Sequence, residues 1–323
     1  MADWRPTSGP DVAATRADML QRVRAYFRDQ DVLEVDTPAL SPCAVSDTHI
    51  ESFAIGTSAI SCRPLYLRTS PEFHMKRLLA AGYPDIFSIG RVFRDGEAGR
   101  RHQPEFTMIE WYRLGMQLDA IIDDTLQIIA AALADAAPDG APQVLDYRRA
   151  FAAACDIDIE TASIAVLADA AGVDDRLRQA IGSASDEWLD LLLTTRVVPS
   201  FPPDRLTVLR HFPASQAALA RLCPADPTVA DRFEVFLGTV ELANGYVELT
   251  DAGEQAMRIE SDNEQRRRRG LPVRPVDRAL LDALRSGLPQ CAGVAMGLER
   301  LQMLHAGVED MREVVTFNFQ GST

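Results

Sequence analysis

Two short apolar-rich runs, residues 86–93 and 106–112, flank a polar, basic, glycine-containing segment. Together they predict a β-hairpin with a long loop in FSIGRVFRDGEAGRRHQPEFTMIEWY, residues 87–112. On the second run Phe106, Met108, Glu110 and Tyr112 share one parity, and a strand sends alternate side chains to one face. Elsewhere the period is helical. Val12, Met19, Leu20, Val23, Tyr26 and Phe27 recur at helical spacing and predict an amphipathic helix over 11–30. Residues 32–35 alternate apolar and polar, predicting a short strand closed at Pro38. LYLRTSPEFHMKRLL, residues 65–79, runs from strand into helix, with Ser70 as N-cap, Pro71 at the first helical position and Glu72 in the first turn, where the helix dipole favours an anion. Residues 118–135 predict a further helix, and AAPDGAPQ, residues 136–143, a linker and candidate boundary.

Residues 146–205 predict short helices and loops without evident chemistry, and 206–212 a strand. Runs 235–242 and 246–249 are strand-like and joined through Asn244-Gly245, a strong hairpin-turn pair. Glu234, Glu241 and Glu248 stand at intervals of seven. An odd interval puts neighbours on opposite faces of a straight strand, so convergence requires the turn, and a bulge near Gly238, to re-aim them. Converged, they make an oxygen-rich site for Mg²⁺ or an ammonium; solvated edge charges fit the same spacing. The run Arg266 to Arg269 predicts an exposed loop or helix end. In CAGVAMGLERLQMLHAG, residues 291–307, a small-residue strand enters an apolar helix. Gly293, Ala295 and Gly297 let backbone approach a ligand, with Arg300 one turn inside the helix.

With 323 residues, 47% hydrophobic and 25% charged, the chain has the composition of a soluble globular protein with a sizeable core. It contains no apolar run near the ~20 residues of a membrane span, and its N-terminus has no apolar signal region. Five scattered cysteines without a CxxC pair fit reduced thiols in the cytoplasm. A formal charge of −14 discourages non-specific nucleic-acid binding. Lys76 is the only lysine. Phe106 to stack on a base, Arg94 to meet a phosphate and acids to meet a cation point to a nucleotide-activating site. A surface hairpin with ordinary charges gives the same pattern, and capping alone accounts for Ser70, Pro71 and Glu72.

Thr37-Pro38 closing a strand after the first helix, the GRVFRDGEAGRRHQPEFTMIEWY hairpin, and GVAMGLER occur in fixed order. They resemble motifs 1, 2 and 3 of class II aminoacyl-tRNA synthetases, lysyl branch, over about residues 11–319, and TSPEFHMKRLL and ELANGYVELTDA also look lysyl-type. The resemblance implies an α+β fold with an antiparallel sheet flanked by helices. It implies a single catalytic domain over 1–323 with a helical insertion about 136–205, a homodimer through motif 1, and ATP with Mg²⁺. Carried over, Arg94 would hold the α-phosphate, Phe106 would stack on adenine and Arg300 would cover its other face, the two arginines being catalytic. Asp95, Gly96, Gln103, Glu241, Leu242 and Gly297 would also face ATP, and Glu234 and Glu241 would bind the metal. Ser70, Pro71, Glu72, Glu110, Tyr112, Asn244, Glu248 and Ala295 would surround the amino acid, Glu248 near its side-chain ammonium.

The first core helix begins almost at the N-terminus, leaving no room ahead of it for an anticodon-binding OB domain. A stand-alone lysyl-type core with Ala295 in place of the usual glycine looks like the elongation factor P β-lysine ligases. That resemblance implies a cytoplasmic enzyme that activates (R)-β-lysine or lysine and transfers it to a lysine ε-amine of elongation factor P, with tRNA and membranes not engaged. The methyl of Ala295 would favour a shifted amino group. Asp95-Gly96-Glu97 stands where the family has Asn-Glu, Gln103 where it has asparagine, and Gly253 where relatives often have arginine. A truncated synthetase, an amide ligase, and a non-catalytic paralogue that binds lysine or nucleotide are the alternatives.

Overall fold

In the computed structural model, which describes residues 4–56 and 58–319, Met19, Val23 and Phe27 form the buried stripe of α1 (Pro10–Asp29). After β1 (Leu33–Glu34), three short strands, β2 (Leu40–Ser41), β3 (Ala54–Ile55) and β4 (Leu65–Leu67), make a small antiparallel sheet in the order β2-β4-β3. Helix α2 (Glu72–Ala80) leads into the hairpin of β5 (Ile86–Phe93) and β6 (Glu105–Leu114), whose long connection matches the expected loop. Helix α3 (Leu118–Leu133) follows.

Pro138–Tyr246 forms a compact unit of its own. Its strand β7 (Gly140–Asp146) pairs in parallel with β8 (Arg205–Arg210), so half of the expected linker is sheet. Between these strands lie α4 (Tyr147–Cys155), α5 (Ile164–Ala171), α6 (Asp175–Ile181) and α7 (Ser185–Leu192), packed around Tyr147, Phe151, Trp188 and Phe212. The short strands β9 (Leu222–Cys223) and β10 (Asp226–Ala230) pair with each other. Strand β11 (Arg232–Leu237) pairs antiparallel with β8 and with β12 (Val240–Val247). The expected Asn244-Gly245 turn is not there: both residues are paired within β12, opposite Glu234 and Phe233. The chain reverses at Gly238 instead, whose φ of 52° suits glycine, and the register shifts between Val235 and Phe236.

The remainder, up to Ala137 and from Val247 onward, is the other unit. It gains α8 (Ala252–Arg268), α9 (Arg278–Gly287), β13 (Cys291–Gly297) and α10 (Leu298–Ala306). Its sheet runs β1-β5-β6-β13, antiparallel except for β1 beside β5. On one face Phe87 stacks on Phe27 at 4.2 Å between ring centroids, and Phe27 packs against Trp111. On the other, Ile86 and Tyr112 pack with Met75, Leu79, Leu280 and Leu284 of α2 and α9. The arginine run ends α8 as a helix terminus, but Arg266 is not exposed: it is fully buried, bonded to the Asp47 carbonyl and ion-paired with Glu51. The five cysteines are unpaired thiols.

Phe27 joins α1 to the sheet at a site with no solvent exposure. Phe27→Ala is expected to lower unfolding stability by roughly 3–5 kcal/mol, read by urea titration of tryptophan fluorescence.

Candidate active site

The register of β5, β6 and β13 gathers one face. Glu110 lies between Ser88 and Ala295, Tyr112 between Ile86 and Gly293, and Met108 between Gly90 and Gly297. Residues opposite one another in antiparallel strands share a face, so small residues on β13 border the acid and phenol of β6. Gly293 has a specific reason to be glycine: a Cβ there would come within 2.5 Å of both Glu248 Oε1 and the Tyr112 ring.

Glu110 is buried and fully engaged. Ser70 Oγ donates to its Oε2 at 2.8 Å, and Tyr112 Oη donates to Oε1 at 2.9 Å. Ser70 Oγ also accepts from the Glu72 N–H at 2.9 Å, but the expected helix start moves by one residue: Pro71, not Ser70, is the N-cap of α2, and Glu72 is its first residue. Burial, then the nearby Glu72 charge, pushes the Glu110 carboxyl up to about 8. Glu248 follows β12, its N–H bonded to the Cys291 carbonyl at 2.9 Å, and its carboxylate is buried. Its Oε2 lies 2.5 Å from Lys76 Nζ, which also meets Glu72 Oε1 at 2.6 Å. Its Oε1 has no hydrogen-bond partner among the described residues. Burial raises the Glu248 carboxyl above its usual range while Lys76 pulls the other way. The structure therefore brings Ser70, Glu72, Glu110, Tyr112 and Glu248 into one pocket and adds Lys76, which sequence reasoning noticed only as the single lysine.

Further along the same hairpin, the Arg94 guanidinium lies 5.2 Å from the Phe106 ring centroid and its Nη1 lies 3.5 Å from Glu97. Arg94 Nε is buried without a hydrogen-bond partner among the described residues. A base stacking on Phe106 would displace this cation, freeing it for a phosphate. Asp95 and Gly96 are exposed, and Gly96 turns the chain at φ 81°. Gln103 is buried and its Oε1 accepts from the Phe319 N–H, so this amide is tied to the C-terminal segment. Arg300 Nη2 lies 3.0 Å from His102 Nε2, a loop residue that carried no sequence signal. Glu299, beside Arg300, accepts from the Thr107 N–H at 2.9 Å and pairs with Arg16, bracing α10 against β6. Gly297 leaves only the Arg300 stem within 4 Å of where a Cβ would stand.

In the second unit Glu234 pairs with Asn244 across the strands, and Glu241 with Phe236. Glu234 is buried, 2.6 Å from Arg232, and burial lifts its carboxyl to about 7, with Arg232 opposing and Glu241 pushing it further up. The buried Oδ1 of Asn244 has no partner among the described residues. Two repelling carboxylates and an unused amide oxygen fit a hard divalent cation. Leu242, expected at ATP, has its side chain in the core, which leaves only its backbone for a ligand. A separate His211–Cys223–Asp231 group has metal-ligand chemistry, but Asp231 is already paired with Arg221 and His211 with Asp146.

A family model described as class II tRNA synthetases (D, K and N) matches residues 1–320. A protein of Yersinia enterocolitica named elongation factor P–(R)-β-lysine ligase is 43% identical over 320 residues, covering 98% of this chain and 97% of its own. Proteins of the same name from Photorhabdus laumondii and Salmonella paratyphi B are 44% identical over 324 residues and 42% identical over 320; each alignment covers 98% of this chain, and 98% and 97% of the two relatives. The hairpin and glycine-strand geometry and these full-length matches agree: the chain belongs to the class II tRNA synthetases of the D, K and N type, in the group of elongation factor P–(R)-β-lysine ligases.

Proposed function

We propose that this chain is an ATP-dependent ligase that activates (R)-β-lysine as an adenylate and transfers it to a lysine ε-amine of elongation factor P. One observation carries the reading: the carboxyls of Glu72, Glu110 and Glu248 gather around Lys76, and Glu110 stands on the same hairpin as the Arg94–Phe106 pair. The carboxyls suit the ammonium groups of a diamino acid, and the arginine and ring suit the phosphate and base of a nucleotide. The printed names of the relatives supply the acceptor and the isomer.

In the first step a carboxylate oxygen of the amino acid attacks the α-phosphorus of ATP, and the bond to the bridging oxygen breaks as pyrophosphate leaves. Arg94 offsets charge on the transferring group, while Phe106 and Arg300 hold the base. In the second step the acceptor amine attacks the acyl carbon, AMP leaves, and the surplus amine proton passes to solvent. Glu234 and Glu241 would hold Mg²⁺, which neutralises phosphate charge when bound. Positioning supplies much of the rate. The charge of −14 favours a protein acceptor over tRNA, and five unpaired thiols fit the cytoplasm. No helix among the described residues is long and apolar enough to cross a membrane. Exposed Leu33, Leu40 and Ile55 give apolar surface suited to a second copy, and we expect the 35.5 kDa chain to sediment as a dimer.

Pyrophosphate exchange is expected with (R)-β-lysine and, with ATP present, a matching mass gain on elongation factor P; absence of exchange with both lysine isomers would reject the reading. Glu248→Gln should raise KM for the amino acid by the equivalent of roughly 2–5 kcal/mol while leaving KM for ATP nearly unchanged. Gly293→Ala should weaken the same KM at least about tenfold, ~1.4 kcal/mol, because its Cβ meets Glu248 and Tyr112. Ala295→Gly should narrow the preference for the β isomer, measured as the ratio of kcat/KM for the two lysines.

A further inference from the structure

Lys76 is the single lysine of the chain, and it is 1% exposed. Lysine is rarely buried unless paired, so its partners define its role. Glu72 stands one helical turn earlier on α2, with Oε1 2.6 Å from the ammonium, and Glu248 approaches to 2.5 Å from the segment after β12. Strand β6 adds Glu110 and Tyr112, and β13 adds the Cys291 thiol, which also feels Asp85; Arg68, after β4, acts on Glu110. The nearby contributions of α8 and α9 to this core, Ile259, Leu280 and Leu284, are apolar.

Three carboxyls thus gather around the Lys76 ammonium, with Arg68 acting on Glu110 from beside it. Burial alone would lower the lysine, but Glu248 and then Glu72 outweigh it, and the ammonium is held above its ordinary range. Burial raises Glu110 to about 8 and lifts Glu248 as well. These directions describe one shared set of charges: the ammonium persists, and Glu110 and Glu248 hold protons more tightly than free carboxyls do.

We propose that Lys76 is a positioning residue, a resident counter-ion that holds Glu72 and Glu248 on one point. With three carboxyls gathered on one ammonium, an incoming ammonium group competes with protons for the same oxygens, so the pocket releases protons as its amino acid binds. This rests on the reading that the pocket holds the amino acid.

The sign follows from the raised carboxyls. Below about 8 they carry protons that the incoming ammonium groups displace, and as pH rises through that value the release fades. Wild-type protein titrated calorimetrically with (R)-β-lysine at pH 7, in phosphate and in Tris, should show heats that differ by the release of roughly one to two protons per site. Lys76→Met keeps the volume and removes the charge, so the pocket acids rise further. The acid limb of kcat/KM for the amino acid should then move up by at least about one pH unit, and its KM at pH 7 should rise about tenfold, with KM for ATP changed less than about threefold. Buffer-independent heat in the wild type, or an unmoved limb in folded Lys76→Met, overturns this inference. Absence of binding and of pyrophosphate exchange with both lysine isomers overturns instead the functional reading beneath it.

Discussion

A buried ammonium shared by two carboxylates holds the candidate site together. Lys76 joins α2 to the segment after β12, and neither acid alone would justify removing that charge from water. The arrangement is expensive to build and therefore exacting in geometry: Glu248 is placed through its backbone bond to Cys291, and Glu72 through its own N–H bond to Ser70 Oγ. Each carboxyl of the pocket is thus set by a different element. Their common constraint is compensation: Glu110 and Glu248 lie out of reach of water, and Glu72 is half-buried beside them.

Strand β6 shows why fold and site are inseparable here. Its odd residues, Ile109 and Trp111, are completely buried, and its even residues, Glu110 and Tyr112, form the pocket. Moving the strand by one residue would exchange the two sets. The stacked Phe27–Phe87 pair and the bond from Trp111 Nε1 to Asp124 at 2.9 Å secure the register from the core side. On the site side, the β13 partner of Tyr112 must be as small as Gly293.

The structure gives the residues of the hairpin loop local work. Gly96 makes a left-handed turn two residues after Arg94, and Glu97 folds back toward the arginine. Gln103 spends its carbonyl on the Phe319 N–H, and the Arg100 carbonyl accepts from Met311. The loop is therefore tied at several points to the C-terminal segment, an attachment that no local pattern announces.

The local periods were enough to determine the first helix, the hairpin, the shared face of Phe106, Met108, Glu110 and Tyr112, and the strand-to-helix passage ending in Arg300. Each depends on side-chain alternation or spacing within a few neighbouring residues. The Asn244-Gly245 reading failed because a turn-prone pair remains a strand when its partner strand is in register, and Gly238 supplied the reversal. Arg266 looked exposed because its four-arginine run is polar, yet Glu51 and the Asp47 carbonyl pair with it inside the fold. Likewise, composition marked Lys76 as unusual but could not say why. Only tertiary structure put its ammonium between acids 4 and 172 positions away, since electrostatic partners are chosen by distance in space and leave no period in the chain.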